Sequence, residues 1–160
     1  VLLKQAWKNE KFFSAKIDEQ NNRHNSFNNT AYNLEPNKKD GPGGLRDAHT
    51  IFWIAKKLGY GNIADLEEDN ILNIDQIQLL QEAWGLISKI RYALHSLAKR
   101  PEDRLLFDYQ RILADNFGYK DSEHLMAVEV FMQDYYKAAK TISRFNEICL
   151  SSRRFFNRSS

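Results

Sequence analysis

Asn33-Leu34-Glu35-Pro36-Asn37-Lys38-Lys39-Asp40-Gly41-Pro42-Gly43-Gly44-Leu45-Arg46-Asp47 is the stretch that organises this chain of 160 residues. Four consecutive turn formers, Gly41 to Gly44, break whatever precedes them, and Leu45-Arg46-Asp47 opens a strongly apolar helical pattern. The result is a polypeptide elbow that feeds a helix N-terminus. The backbone N–H groups of Gly43 and Gly44, with the side chains of Arg46 and Lys39, make it a candidate contact for a phosphate, with Glu35 as a candidate carboxylate beside it. A plain domain-joining turn explains the same residues, and no Lys-Ser or Lys-Thr follows as a P-loop requires. Asp47, in the first helical turn, is accounted for by the helix dipole.

Outward from the elbow, the pattern is helical. A first helix is expected from Leu3 to about His24, ended by an asparagine cluster at Asn25, Asn28 and Asn29. Pro36 pushes the residue before it toward extended geometry, so Ala31 to Glu35 is the one strand candidate. The helix opened by Leu45 should stop at Leu58, before Gly59 and Gly61. A short helical turn follows at Ile63 to Glu68, and then Asn73 and Gln76 have capping-box spacing.

From Ile74 to Lys99 two apolar stripes alternate, Ile77, Leu80, Trp84, Ile87 and Leu94 beside Leu79, Leu86, Ile90, Ala93 and Leu97, which calls for partners on two sides. After the break at Arg100-Pro101, a helix from Arg104 to Phe117 should turn Leu106, Tyr109, Leu113 and Phe117 inward. A last helix from about Ser122 to Ser151, capped by Asp121, would be about 45 Å long. The expected fold is mainly α, an antiparallel bundle of about five to six helices with at most one short extended segment near 31–36. Residues 1–40 are read as an N-terminal helix with its connecting loop, and 41–160 as the helical domain.

Composition bounds the function. Twenty-three Lys and Arg against 21 Asp and Glu leave a net charge of +2 with the signs mixed, so nucleic acid is not an expected partner. No apolar run approaches the roughly 20 residues of a bilayer span, so no membrane is expected either. One cysteine, Cys149, excludes an internal disulfide, in keeping with a reducing, cytoplasmic setting, and the four scattered histidines assign no metal site. A second polar set, Arg91, His95, Arg100, Asp103, Arg104 and Asp108, is read as a structural corner in which Arg91 or Arg104 pairs with Asp103 or Asp108. Because the chain starts with Val and ends in Arg-Ser-Ser, it is expected to come from a longer protein.

The run NLEPNKKDGPGGLRD resembles the segment of the bifunctional PII uridylyltransferase/uridylyl-removing family that joins its nucleotidyltransferase domain to the helices behind it. Three further blocks are similar to that family in the same order: KFFSAKIDEQNNRH, RYALHSLAKRPEDRLLFDYQ and FMQDYYKAAKTISRFNE, so the resemblance covers Lys11 to Cys149. It implies a parent enzyme that transfers UMP from UTP to a tyrosine of the PII signal protein in nitrogen regulation, with Mg²⁺ required. It also implies neighbouring nucleotidyltransferase and hydrolase domains. In the family the position of Lys38 is usually apolar, and this chain departs from that. No Gly-Ser turn with paired acids and no His-Asp dipeptide occurs here, so no catalytic residue is assigned and the Mg²⁺ ligands are expected outside this chain. Two alternatives stand beside this reading: a non-catalytic helical protein-binding module, and the helical domain of a related adenylyltransferase.

Overall fold

The computed structural model describes residues 9–152. Five α-helices lie among them: α1 (Asn9–Asn25), α2 (Leu45–Lys57), α3 (Ile74–Ala98), α4 (Phe107–Asn116) and α5 (Ala127–Ser151), with a 3₁₀ turn at Ile63–Glu67 between α2 and α3. Local chemistry sets most of these boundaries. Asn28 and Asn29 both take left-handed backbone just after α1, the conformation asparagine tolerates best among residues bearing a Cβ. Gly59 (φ +88°) and Gly118 (φ +82°) do the same after α2 and α4. The expected capping box is present at α3, where Asn73 Oδ1 accepts from Gln76 N and Gln76 Oε1 accepts from Asn73 N, both at 2.9 Å. The part of the first expected helix before Asn9 lies outside the described residues.

α5 forms the centre of the packing, lying against α2, α3 and α4. Phe131, Met132, Tyr135, Ala138, Ala139, Ile142, Phe145 and Cys149 line its buried face. Burial pushes the Cys149 thiol up to about 12, so it behaves as a core hydrophobe. α1 adds Phe13 to the same core, and a reciprocal amide pair, Gln20 with Asn146, joins α1 to α5 at 2.8 and 2.9 Å. Among the described residues, no helix is long and apolar enough to cross a membrane.

Three expectations shift. α3 buries one stripe, Ile77, Leu80, Ala83, Ile87, Ile90 and Leu94, whereas Leu79 and Trp84 of the two expected stripes reach solvent. α4 begins at Phe107 rather than Arg104, because residues 103–105 are paired with an earlier segment: Lys38 N donates to Asp103 O (3.0 Å) and Leu105 N to Pro36 O (2.8 Å). Its fully buried positions are Gln110, Leu113 and Ala114, while the expected Tyr109 and Phe117 are half-buried and pack against the core, the Phe117 ring 5.9 Å from that of Phe131. α5 starts at Ala127; Asp121 still serves its N-terminus, accepting from Ala127 N at 2.7 Å across a turn closed by Ser122 and Leu125. Its 25 residues make about 38 Å of helix, shorter than expected.

The extended segment expected at 31–36 forms no strand; a single antiparallel bridge, Asn37 with Arg104, follows it. Apart from Pro36 O, which accepts from Leu105 N, its carbonyls go to helices. Leu34 O accepts from Gln110 Nε2 at 2.7 Å and Asn33 O from Tyr136 Oη at 2.8 Å. Hydrogen bonds to α4 and α5 thus replace a ladder.

The elbow packs directly on α5. Gly43 has φ +75°, and a Cβ there would lie 2.2 Å from Ala139 O, well inside contact distance. Gly43→Ala therefore combines backbone strain with overpacking against a helix backbone that cannot yield, and should destabilise by about 3 kcal/mol or more. A circular-dichroism melt should show Tm lower by about 6–12 °C; an unchanged Tm would mean that the elbow does not sit this close to α5.

Candidate functional site

The elbow is built from its own backbone. Asn37 Oδ1 accepts from Lys39 N and Asp40 N at 3.0 and 2.8 Å, and Asn37 O from Gly41 N at 3.0 Å. Gly44 N, Leu45 N and Arg46 N donate to Gly41 O, Lys38 O and Lys39 O, each at 2.9 Å, and Asp47 N donates to Gly44 O at 3.1 Å. Gly43 N donates to Asp47 Oδ2 at 2.8 Å. With Lys38 N on Asp103 O and no N–H on Pro42, every backbone donor from 38 to 47 has an acceptor inside the chain. Gly44 is held in this arrangement by crowding, since a Cβ on it would meet three carbonyl oxygens at 2.8–2.9 Å.

A carboxylate of the chain itself therefore occupies the anion position at the head of α2. Asp47 is fully buried. Its Oδ1 lies 2.9 Å from Arg23 Nη1, and His24 Nε2 lies 2.9 Å from both its oxygens. Arg23 also donates to Asp40 O at 2.9 Å and to Glu19 Oε1 at 3.1 Å, while Asp47 O accepts from Asn146 Nδ2 at 3.1 Å. One residue, through its carboxylate and its carbonyl, thus ties α1, the elbow, α2 and α5 together. The helix-dipole account of Asp47 is incomplete, because it anticipates neither this burial nor the two partners on α1.

Of the candidate phosphate contacts, Gly43 and Gly44 are buried and their amides are used internally. The Arg46 and Lys39 side chains do reach solvent. Arg46 is 41% exposed, with Asp40 at 3.3 Å and Glu19 at 3.7 Å; Lys39 is 36% exposed, 3.8 Å from Asp103. Glu35 points elsewhere: its Oε1 accepts from Phe107 N at 3.0 Å and so caps α4, and its Oε2 is 3.6 Å from Arg104.

The second polar set converges on Asp103. Arg91 Nε is 2.9 Å and His95 Nε2 3.2 Å from Asp103 Oδ1, and Lys38 Nζ lies 3.7 Å from the same oxygen. Arg104 goes to Glu35 rather than joining them, and Asp108 is exposed on α4. Burial raises the Asp103 carboxyl, but the Arg91 and His95 hydrogen bonds outweigh it and hold the group below its usual range.

Lys38 is the residue that sequence reasoning missed. It is fully buried, and its ammonium donates to Glu102 O at 2.7 Å. Desolvation drives its pKa down from 10.5 to about 8, with Arg91 adding to the shift and Asp103 and Glu102 opposing it. The apolar residue that the family resemblance leads one to expect at this position was the available signal: an apolar site is a buried site.

Residues 11–150 match the GlnD PII-uridylyltransferase family. Over 153 residues the chain is 44% identical to the bifunctional uridylyltransferase/uridylyl-removing enzyme of Hydrogenovibrio crunogenus, covering 92% of this chain and 17% of that protein. The like-named proteins of Stutzerimonas stutzeri and Methylococcus capsulatus are each 46% identical over 145 residues, covering 90% of this chain and 16% of theirs. The chain thus spans only 16–17% of the length of these curated relatives. No solved structure matches it.

Two stability measurements test this geometry. Asp47→Asn removes the buried one of the two carboxylates that compensate Arg23 and should cost about 3–5 kcal/mol in urea unfolding; a loss below 1 kcal/mol would show that the elbow does not depend on it. For Lys38 the folded pKa lies below the unfolded one. Burying the cation therefore costs stability in full below about pH 8, and the cost is relieved as pH rises from about 8 toward 10.5. Lys38→Met should accordingly raise stability at pH 7 by about 1 kcal/mol, an advantage that shrinks by pH 10. An advantage that grows with pH would reverse the assignment.

Proposed function

The chain belongs to the PII-uridylyltransferase family, and we propose that it is the helical domain flanking the nucleotidyltransferase site of such an enzyme. The parent reaction on this reading moves UMP from UTP to a tyrosine of the PII signal protein and releases pyrophosphate, as part of nitrogen regulation in the cytoplasm. The observation that supports a flanking role is the closed elbow. A loop whose every amide is satisfied internally, and whose helix head holds its own buried carboxylate, transmits position rather than gripping a ligand with its backbone. The family match also favours the uridylyl branch over a related adenylyltransferase.

Mg²⁺ belongs to the parent reaction. The acids nearest the elbow do not suit it: Asp47 is enclosed by Arg23, His24 and Gly43 N, the Glu19 carboxylate pairs with Arg23 and Arg46, and that of Asp40 with Arg46. A carboxylate compensated by a guanidinium gains little from a divalent cation and would have to give up its partner to bind one. The acids that bind the metal are assigned to the rest of the enzyme, and this chain alone is expected to be inactive.

Side chains at the rim of the elbow, Arg46 first and Lys39 second, are the remaining candidates for contact with the triphosphate or with pyrophosphate. In the full-length enzyme, Arg46→Ala should lower kcat/KM for UTP about tenfold, which corresponds to about 1.4 kcal/mol of transition-state stabilisation. Tm should change by less than about 2 °C, because half-exposed ion pairs add little to stability. A full rate in that variant would remove the phosphate contact and leave the domain a purely positioning role.

A further inference from the structure

α2 presents an unusual outer face. Seven of its 13 residues are buried, and the six that remain are Arg46, His49, Phe52, Trp53, Lys56 and Lys57. All are basic or aromatic. In a chain with nearly as many acids as bases, an outer helix face normally mixes the two signs. The helix dipole explains two lysines in the last turn but not the exposed tryptophan beside them.

Trp53 is 44% exposed and forms one wall of an open groove of about 490 Å³ between α1 and α2, with Phe12, Lys16, Lys56 and Lys57 as the other lining residues. Lys16 of α1 places its ammonium 4.5 Å from the indole centroid, and Lys57 lies 5.8 Å from the Phe12 ring. None of these three lysines has a carboxylate within 4 Å among the described residues, in contrast to Lys38, Lys39 and Arg46. The groove thus has an apolar floor and a rim of uncompensated positive charge. That combination complements a ligand carrying carboxylates around an apolar side chain.

We propose that this groove is a docking site for an acidic segment of a second protein. The apolar or aromatic side chain of that segment enters between Phe12 and Trp53, and its flanking carboxylates meet Lys16, Lys56 and Lys57. A nucleobase fits less well. The Lys16 ammonium already lies over the indole, and the His49 ring packs against it at 5.7 Å, so a stacking base would have to displace them. The inference does not depend on the transferase reading, since it concerns binding alone.

Fluorescence anisotropy of the full chain with a labelled (Glu-Glu-Leu-Glu)₃ peptide, beside its all-Gln counterpart, tests it. The acidic peptide should bind at least tenfold more tightly at 50 mM NaCl and weaken at 300 mM. Lys16→Gln/Lys56→Gln/Lys57→Gln should lose at least tenfold in affinity. Trp53→Ala should lose at least fivefold at either salt, with Tm of both variants checked by circular dichroism. Three results would overturn the proposal: no binding of the acidic peptide, equal binding by the triple variant, or a Trp53→Ala variant that binds as well as the native chain. Stronger binding of UTP or of a dT₁₂ oligonucleotide than of the peptide would also overturn it and assign the groove to nucleotides.

Discussion

Asp47 is a carboxylate with no solvent access, placed at the head of a helix where the chain has just turned sharply. An ionised group in such a place is tolerated only if its charge and its lone pairs are met by the fold. Arg23 and His24 arrive from α1, Gly43 offers its amide from the elbow, and the positive end of α2 adds its dipole. The elbow cannot open, and α1 cannot leave, without exposing a buried charge pair. Most of what distinguishes this molecule from a generic helical bundle follows from that requirement.

A second constraint acts on the other side of the elbow. Residues 33–38 run alongside 102–110 and exchange main-chain hydrogen bonds with them, so that Glu35 caps α4 and Lys38 is enclosed beside Asp103. Arg91 and His95 of α3 close on the same carboxylate. The two polar centres, Asp47 and Asp103, thus bracket the turn formers and fix the direction in which the chain passes from α1 into the helical core.

Much of the helical layout was legible before any coordinates. The boundaries of α2, the 3₁₀ turn and α3 are written in glycines, asparagines and a capping box, all of which act within a few residues of chain. The misread elements are those governed from a distance. α4 starts three residues late because Pro36 and Lys38 claim the backbone at 103–105, and on α3 Leu79 and Trp84 reach solvent where their stripes called for cover. The Glu35 carboxylate, a neighbour of the elbow in sequence, accepts from the N-terminus of a helix 72 residues away. Likewise, a glycine-rich loop before a helix has the same local sequence whether its amides face a phosphate or an internal aspartate.

The amino-acid sequence by itself determined the helical class, the elbow and the family, because periodicity, turn chemistry and an ordered set of motifs are properties of the chain taken in short pieces. Only the tertiary structure decided where the charges go: that Asp47 is buried rather than decorating a helix end, that Lys38 is enclosed, and that the outer face of α2 is left basic and aromatic. The physical reason is that the energy of a charge depends on its dielectric surroundings and its partners, and both are supplied by segments remote in sequence.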